Sequence, residues 1–172
     1  LPAGALTGRA GSLWQDASAG EGKGRRVVRD WKKQAKQQGK WKVTVGEHYV
    51  DAERNKGLKT TEDSKYYAIS TRFDPIDTTG KPLIVQLLVK NEQNWKCAGS
   101  YLKLFPSSVD QSTLSDTDPY SLMFGPDVCE PQRKTHLIFH YNGEHRHMKE
   151  VLRPDVDPLS HLYTLIIRAN QT

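Results

Sequence analysis

The chain has 172 residues, a net charge of +5 and an apolar share of 36%, enough for one domain with a hydrophobic core. Its mean hydropathy of −0.69 and the absence of any apolar run of about 18 residues exclude a membrane-spanning helix in this sequence. The chain is polar, but it is too rich in apolar residues to be intrinsically disordered throughout.

The first segment is rich in Gly, Ala and Ser and has no hydrophobic periodicity. We expect residues 1–28 to form a disordered leader and residues 29–172 to form the folded domain. A strongly basic run from Lys23 to Lys42 contains a single acidic residue. Such a run can grip phosphates, but no nucleic-acid-binding motif accompanies it. We therefore interpret it as a solvated face or arm and expect no nucleic-acid partner.

Beyond residue 39, apolar and polar residues alternate with a period of two, which predicts half-buried strands. The predicted strands are, in chain order, 40–50, 65–71, 83–90, 100–106, 135–141 and 161–169. The segment "LIVQLLVK" is almost continuously apolar, which favours a central strand covered on both faces. The segments "FDPIDTTGKP" and "MFGPDVC" contain Gly, Pro and Asp, which are typical of turns. Helix signals are poor, so we predict an all-β, antiparallel sandwich.

Two cysteines, Cys97 and Cys129, are the only ones in the chain. Taken alone, this pair is compatible with unrelated buried thiols, with a disulfide or with half of a metal site. Candidate zinc ligands are present in His136, His140, His145 and His147, but their spacing does not match a zinc-binding motif. The sequence pattern by itself leaves these alternatives open.

The segment "SYLKLFP" places Leu102 and Leu104 on one face of a strand and Tyr101 and Lys103 on the other. The leucines suit a core, so the tyrosine and lysine are expected to face solvent. An aromatic plane beside a hydrogen-bond donor is the chemistry that sugar rings require. Spacing alone equally allows an ordinary exposed sheet surface.

The motifs "KNEQ", "CAGSYLKLFP" and "MFGPDVC" occur in that order, followed by "THLIFHY" and "HLYTLIIR". Their combination resembles the calreticulin and calnexin family, from about Trp31 to Arg168. The resemblance implies a concanavalin-like antiparallel β-sandwich (a jelly roll), truncated to the front half of the lectin domain. It also implies a non-enzymatic chaperone of the endoplasmic reticulum lumen that binds calcium, monoglucosylated N-glycans and nascent or unfolded glycoproteins.

The resemblance assigns roles to individual residues of this chain. It implies a disulfide between Cys97 and Cys129 and therefore an oxidising compartment. It assigns glycan contacts to Tyr101, Lys103, Tyr120, Met123, Asp127, His136 and Ile138. An Asp and a Trp that the family contributes from later in its chain are not among these residues.

Three further expectations come from the resemblance. Calcium would be bound through the backbone carbonyls of Arg54 and Lys56, in a site whose other ligands are missing here. His161 corresponds to a family histidine linked to chaperone behaviour. The family's proline-rich arm, absent from these residues, would recruit a thiol-disulfide isomerase.

An alternative interpretation remains. The chain would then be a truncated product with a basic leader, acting as a peptide-binding or polyanion-binding surface or having no function. No arrangement of nucleophile, base or paired carboxylates in the sequence indicates an enzyme.

Overall fold

The computed structural model describes residues 26–28, 38–73, 77–93 and 96–168. Within these ranges the chain forms strands, turns and loops and no helix, which confirms the predicted all-β class. Accordingly, no helix capable of crossing a membrane is found in the described part of the chain. The strands are β1 (Arg26–Val28), β2 (Trp41–Thr44), β3 (Gly57–Thr60), β4 (Ile69–Thr71), β5 (Leu83–Lys90), β6 (Cys97–Gly99), β7 (Leu102–Leu104), β8 (Leu122–Cys129), β9 (Gln132–Tyr141), β10 (Glu144–His147) and β11 (Ser160–Ile167).

The chain divides into two compact units, of which the larger contains Pro75–Ser107 and Pro119–Thr172. Its main sheet is antiparallel and has the order β10-β9-β8-β6, with β7 pairing along the same edge of β8 as an additional strand. A second antiparallel sheet consists of β5 and β11. The central strand of the larger sheet is therefore β8, and β9 lies between β8 and the edge strand β10.

One face of the larger sheet supplies most of the hydrophobic core of this unit. Alternate residues of β8 point inward and are buried, as expected from the period of two in a strand. These buried side chains are Leu122, Phe124, Pro126 and Val128, joined by Leu104 of β7 and by Val85 and Val89 of β5. The opposite face of the same sheet carries polar and aromatic side chains together with Met123 and the buried Ile138.

The prediction that "MFGPDVC" forms a turn is wrong, because these residues belong to the eight-residue strand β8. The ladder beside β8 is interrupted between Gly99 of β6 and Leu102 of β7. Pro126 lies at this interruption, where its carbonyl accepts a hydrogen bond from the Ser100 amide at 3.0 Å. In an antiparallel strand, the N–H and C=O of one residue point to the same neighbouring strand. The N–H that Pro126 lacks would therefore point into the interruption, where no paired strand residue needs it as a donor.

Gly125 is the second residue of β8 that suggested a turn, and its backbone conformation explains why glycine occurs there. Its φ of +147° is a conformation that side chains rarely adopt, and an added Cβ would lie 2.1 Å from the Ser100 carbonyl oxygen. Glycine is therefore required where the backbone of residue 100 approaches the central strand.

The prediction that "LIVQLLVK" is covered on both faces is also wrong for the described residues. The strand pairs only with β11, and its burial alternates strictly along its length. Val85 and Val89 are buried, whereas Ile84 and Leu88 are exposed. A two-stranded sheet has only one face turned to this unit's core, so half of an apolar strand remains outside it.

The second unit contains Leu6–Asp74 and Ser108–Asp118 and has two antiparallel strand pairs, β1 with β4 and β2 with β3. Trp41 packs edge-on against Tyr67 with ring centroids 5.2 Å apart. Strand β1 lies at the end of the predicted leader, where Arg26–Val28 pair with Ile69–Thr71. The remaining leader, residues 1–25, lies outside the described residues, and its disorder stays a prediction.

Candidate functional site

The outward face of the larger sheet brings together the side chains predicted to contact a glycan. Register pairs Lys103 with Met123, Met123 with Ile138, and Gly99 with Asp127 across β6 to β9. His136 lies two residues before Ile138 and therefore on the same face. We call this surface the outer sheet face; it carries Tyr101, Lys103, Tyr120, Met123, Asp127, His136 and Ile138.

The centre of the outer sheet face is a cluster of Tyr101, Asp127 and His136. His136 Nε2 lies 2.8 Å from Asp127 Oδ2, within hydrogen-bonding distance. The Tyr101 ring stands edge-on to the imidazole, with centroids 5.8 Å apart. The Tyr101 hydroxyl also hydrogen-bonds Asp127. The carboxylate thus holds both rings in fixed positions, and both remain partly accessible to solvent.

Burial raises the pKa of the Tyr101 hydroxyl well above its usual value, and the charge and hydrogen bond of Asp127 add to the effect. A neighbouring carboxylate disfavours the phenolate because the two anions repel each other, while it accepts a hydrogen bond from the neutral phenol. Tyr101 is therefore a neutral hydrogen-bonding group throughout the physiological pH range.

Gly99 is a positioning residue that the sequence analysis missed. An added Cβ would lie 1.9 Å from the Tyr101 hydroxyl oxygen and 2.2 Å from the ring carbon that carries it. The tyrosine ring therefore lies across the bare backbone of β6. The motif "CAGSY" contained this signal, because a glycine two residues before an aromatic residue on the same face leaves room for its ring.

Lys103 and Tyr120 form a second cluster on the outer sheet face. The Lys103 ammonium lies 4.8 Å from the centroid of the Tyr120 ring, in the range of a cation–π contact. Tyr120 also contacts the ring of His145, which in turn contacts His140. Both histidines were considered only as weak zinc ligands from the sequence. They belong instead to a row of neighbouring rings.

The disulfide between Cys97 and Cys129 is present, as the family resemblance implied, and no described cysteine is free. The two residues are direct cross-strand partners in β6 and β8. The bond therefore fixes the short strand β6, and with it Gly99, to the centre of the sheet. The open question between free thiols, a disulfide and a metal site is thereby resolved in favour of the disulfide.

His161 lies away from the outer sheet face, at the beginning of β11 and opposite Val89. Its Nε2 atom lies 2.8 Å from Asp157 Oδ1, and Nδ1 lies 3.8 Å from Asp155 Oδ2. The His161 hydrogen bond, followed by the Leu159 amide, lowers the pKa of Asp157. His161 thus fastens the loop before β11 to the strand itself.

The residues predicted to hold calcium lie in a tight turn of the second unit. The Asp51 carboxylate accepts hydrogen bonds of 2.9 Å from the amides of Glu53 and Arg54, and the Glu53 carboxylate binds the Lys56 ammonium. Calcium takes six to eight oxygen ligands, and the carbonyls of Arg54 and Lys56 would supply two. No cluster of three or more metal-binding side chains occurs among the described residues. Within the described ranges, these two carbonyls would therefore supply only part of the ligands that calcium needs.

The outer sheet face carries groups that are suited to binding a ligand. It offers aromatic rings, the apolar side chain of Met123 beside the buried Ile138, and donors and acceptors in Lys103, Asp127 and His136. These are the groups that hold a polar ring compound by its C–H face and its hydroxyls.

Comparison with known proteins agrees with this architecture. The model of the calreticulin family matches residues 14–172, which includes residues 14–28 of the predicted leader. Curated calreticulins of Bombyx mori and Homo sapiens are 45% and 44% identical over 138 and 135 residues. These matches cover 80% and 78% of this chain but only 35% and 32% of the relatives. The chain thus spans about a third of the length of the curated relatives it matches.

A solved structure, the T. cruzi calreticulin globular domain, superposes with a TM-score of 0.77 at 42% sequence identity. The match covers 85% of this chain and 55% of that structure. It confirms the predicted concanavalin-like β-sandwich. The family match, the identity to the curated relatives and the shared fold together establish that the chain belongs to the calreticulin family.

Proposed function

We propose that the outer sheet face is a lectin site for glucosylated N-glycans. The observation that supports this most strongly is that all seven residues expected to contact a glycan lie on one face of one sheet. These residues come from three separate segments of the chain, and ordinary surface positions would have no reason to meet.

The roles of the residues follow from their chemistry. The Tyr101 ring, held over Gly99 and partly exposed, would stack on the C–H face of the terminal glucose. The Lys103 ammonium and the Asp127 carboxylate would bind sugar hydroxyls as donor and acceptor. Met123 would provide a polarizable apolar wall beside the sugar, and its cross-strand partner Ile138, which is only 7% exposed, would support that wall. Because His136 and Asp127 already hold each other, little ordering would be needed when the ligand binds.

Calorimetric titration of the 172-residue protein tests this function. We expect a monoglucosylated oligosaccharide to bind and the same glycan without glucose to bind at least tenfold more weakly. Replacing Tyr101 with Ala should weaken binding by about 1–3 kcal/mol, since packing and a hydrogen bond are lost together. Arg146→Ala, which alters the opposite face of β10, is the matched control and should leave the affinity unchanged. Equal affinity for both glycans would contradict the proposal.

The wider role that we propose is that of a chaperone part in the endoplasmic reticulum lumen, recognising nascent glycoproteins by their glycans. The disulfide supports an oxidising compartment. For His161 we propose a structural part in this role, because its side chain holds the loop before β11 against the strand. Recruitment of a thiol-disulfide isomerase is a proposal for the longer family protein.

Calcium is a proposal for the longer family protein as well. In this chain the carbonyls of Arg54 and Lys56 would contribute to such a site only together with ligands from elsewhere. No step of glycan binding proposed above depends on the ion.

A further inference from the structure

Three histidines lie together where β9 and β10 meet. His140 and His145 are direct cross-strand partners, and their ring centroids are 5.2 Å apart. His147 follows His145 by two residues, so it lies on the same face, about 7 Å further along the strand. We call His140, His145 and His147 the histidine patch. It adjoins the outer sheet face but contains none of the residues assigned to the glucosylated glycan.

The histidine patch is accessible and is held by a tight hairpin. His145 and His147 are exposed, and His140 is half-buried. The two strands are joined by Asn142 and Gly143 alone, whose φ angles of 51° and 78° are the left-handed values of a two-residue hairpin turn. The spacing of the imidazoles is therefore set by the register of the hairpin.

Two carboxylates close to the histidine patch are held by other groups. Glu144 and Arg146 alternate with the patch residues on β10, so they point to the opposite face, and they pair with each other at 2.6 Å. Asp127, on the outer sheet face, lies 2.8 Å from His136 Nε2. These two carboxylates are thus engaged away from the three imidazoles.

The remaining neighbours make the surroundings of the patch slightly basic. The Tyr120 ring contacts that of His145, and the Lys103 ammonium lies 4.8 Å from the centroid of the Tyr120 ring. A phenol carries no charge at neutral or acidic pH, so Lys103 contributes the charge on this side. Lys149 and Glu150, which follow β10, are both exposed and carry opposite charges.

Acid should turn the histidine patch from a neutral into a cationic surface. Imidazole is the side chain that ordinarily changes its charge between about pH 5 and 8, and the protonated ring has two N–H donors. Like charges at directly opposite positions of a sheet repel each other. An anion bound between the rings would offset this repulsion and accept their hydrogen bonds. By linkage, such an anion binds more tightly as the pH falls.

We propose that the histidine patch is an acid-activated binding site for sulfate esters of anionic glycans. A sulfate ester keeps its negative charge throughout this range, whereas a phosphate monoester loses its second charge near pH 6, where imidazoles gain theirs. Sulfate is therefore the ester whose attraction to the patch grows most on acidification. The inference does not depend on the proposed lectin function, because the two sites share no residue.

Fluorescence anisotropy of a labelled heparin-derived hexasaccharide, titrated with the 172-residue protein at an ionic strength of about 0.15 M, tests this inference. The affinity should rise at least about tenfold from about pH 7.5 to about pH 5.5, where imidazole titrates. The double variant His145→Gln, His147→Gln should lose most of this rise and keep the wild-type affinity at the higher pH. The double variant His145→Lys, His147→Lys should bind tightly at both pH values, because its charges are permanent.

Two controls separate the histidine patch from general charge effects. His48→Asn removes an exposed imidazole from the second unit, at a φ of 53° that asparagine tolerates, and should keep the full rise in affinity. The desulfated hexasaccharide should show no rise, because the ester that the patch binds is missing.

The outcomes are distinct. A full rise in the His145→Gln, His147→Gln variant, or an equal loss in His48→Asn, would refute the patch as the site. An equal rise with the desulfated sugar would contradict recognition of sulfate. A DNA fragment of the same charge that gains as much affinity through the same residues would contradict selectivity for sulfated glycans. Binding of the glucosylated glycan is measured separately, so a failure here leaves the proposed lectin function standing.

Discussion

The ring of Tyr101 lies across Gly99, so closely that an added Cβ on the glycine would be 1.9 Å from the tyrosine hydroxyl oxygen. Gly99 is also the cross-strand partner of Asp127, the carboxylate that this hydroxyl binds. The position of the Tyr101 ring therefore depends on Gly99, a residue that has no side chain.

Replacing Gly99 with Ala should displace the Tyr101 ring, because the methyl group would occupy the space of the hydroxyl. We expect glycan affinity to fall at least about tenfold, with the loss of one packed and hydrogen-bonded ring. Gly80→Ala is a control in a turn before β5: its φ of +67° makes the substitution strained, but the added methyl meets no atom within 4 Å, so glycan affinity should be preserved. Unchanged binding in Gly99→Ala, measured by calorimetry, would show that the ring position is not required.

The Tyr101 phenol should resist ionisation in the folded protein. Its folded pKa is raised, so its contribution to stability is complete below the unfolded value near 10 and is lost as pH rises further, when only the unfolded chain ionises readily. NMR of ring-labelled tyrosine should show a neutral Tyr101 above pH 10. Asp127→Asn should bring the titration to lower pH, because a charge that disfavours the phenolate is removed. A phenolate forming near pH 10 in the folded wild-type protein would contradict this assignment.

Removing the Cys97–Cys129 disulfide should destabilise the protein. The cysteines are 32 positions apart, and the chain-entropy estimate for a loop of this size is about 3–4 kcal/mol. Peptide mapping without reduction should recover the two cysteines linked. Urea unfolding of a Cys97→Ala, Cys129→Ala double variant should then have a clearly lower midpoint. Equal midpoints for the variant and the oxidised protein would rule out a stabilising role.

The exposed face of β5 and β11 should promote self-association. Its apolar side chains are 40–59% exposed, and they are Ile84, Leu88, Leu162 and Ile166. The hydrogen-bonded pair of Gln86 and Thr164 lies between them, and exposed apolar side chains clustered in this way favour association in water. Sedimentation velocity should show concentration-dependent oligomers that Leu88→Lys reduces. Val151→Lys introduces the same charge at a 71% exposed position that lies outside these strands. An equal reduction by both variants would indicate a general charge effect.

Local alternation was sufficient to predict much of the outer sheet face. The period of two in "SYLKLFP" separated Lys103 from the buried Leu104, and that in "THLIFHY" placed His136 and Ile138 together. The structure confirms these assignments because each depends only on which side of a strand a residue occupies. The class of the fold followed from the same signal.

The errors arose where the environment of a residue is set by distant parts of the chain. Gly125 and Pro126 suggested a turn, yet they fit a strand because the neighbouring ladder is interrupted at Ser100. The apolar run of β5 suggested two covered faces, and only its pairing with β11 shows that one remains exposed. The contact between the rings of His140 and His145 likewise requires the register of β9 and β10, which the sequence does not state.

Methyl NMR of methionine tests the proposed lectin site most directly, because the chain has only two methionines. Met123 lies on the outer sheet face, whereas Met148 follows β10 and its amide binds the Leu137 carbonyl. On titration with a monoglucosylated oligosaccharide, the Met123 methyl signal should shift and that of Met148 should stay in place. The unglucosylated glycan should move neither signal. A Met123 signal that ignores the glucosylated glycan, or that shifts equally with both glycans, would contradict a glucose-binding site on this face.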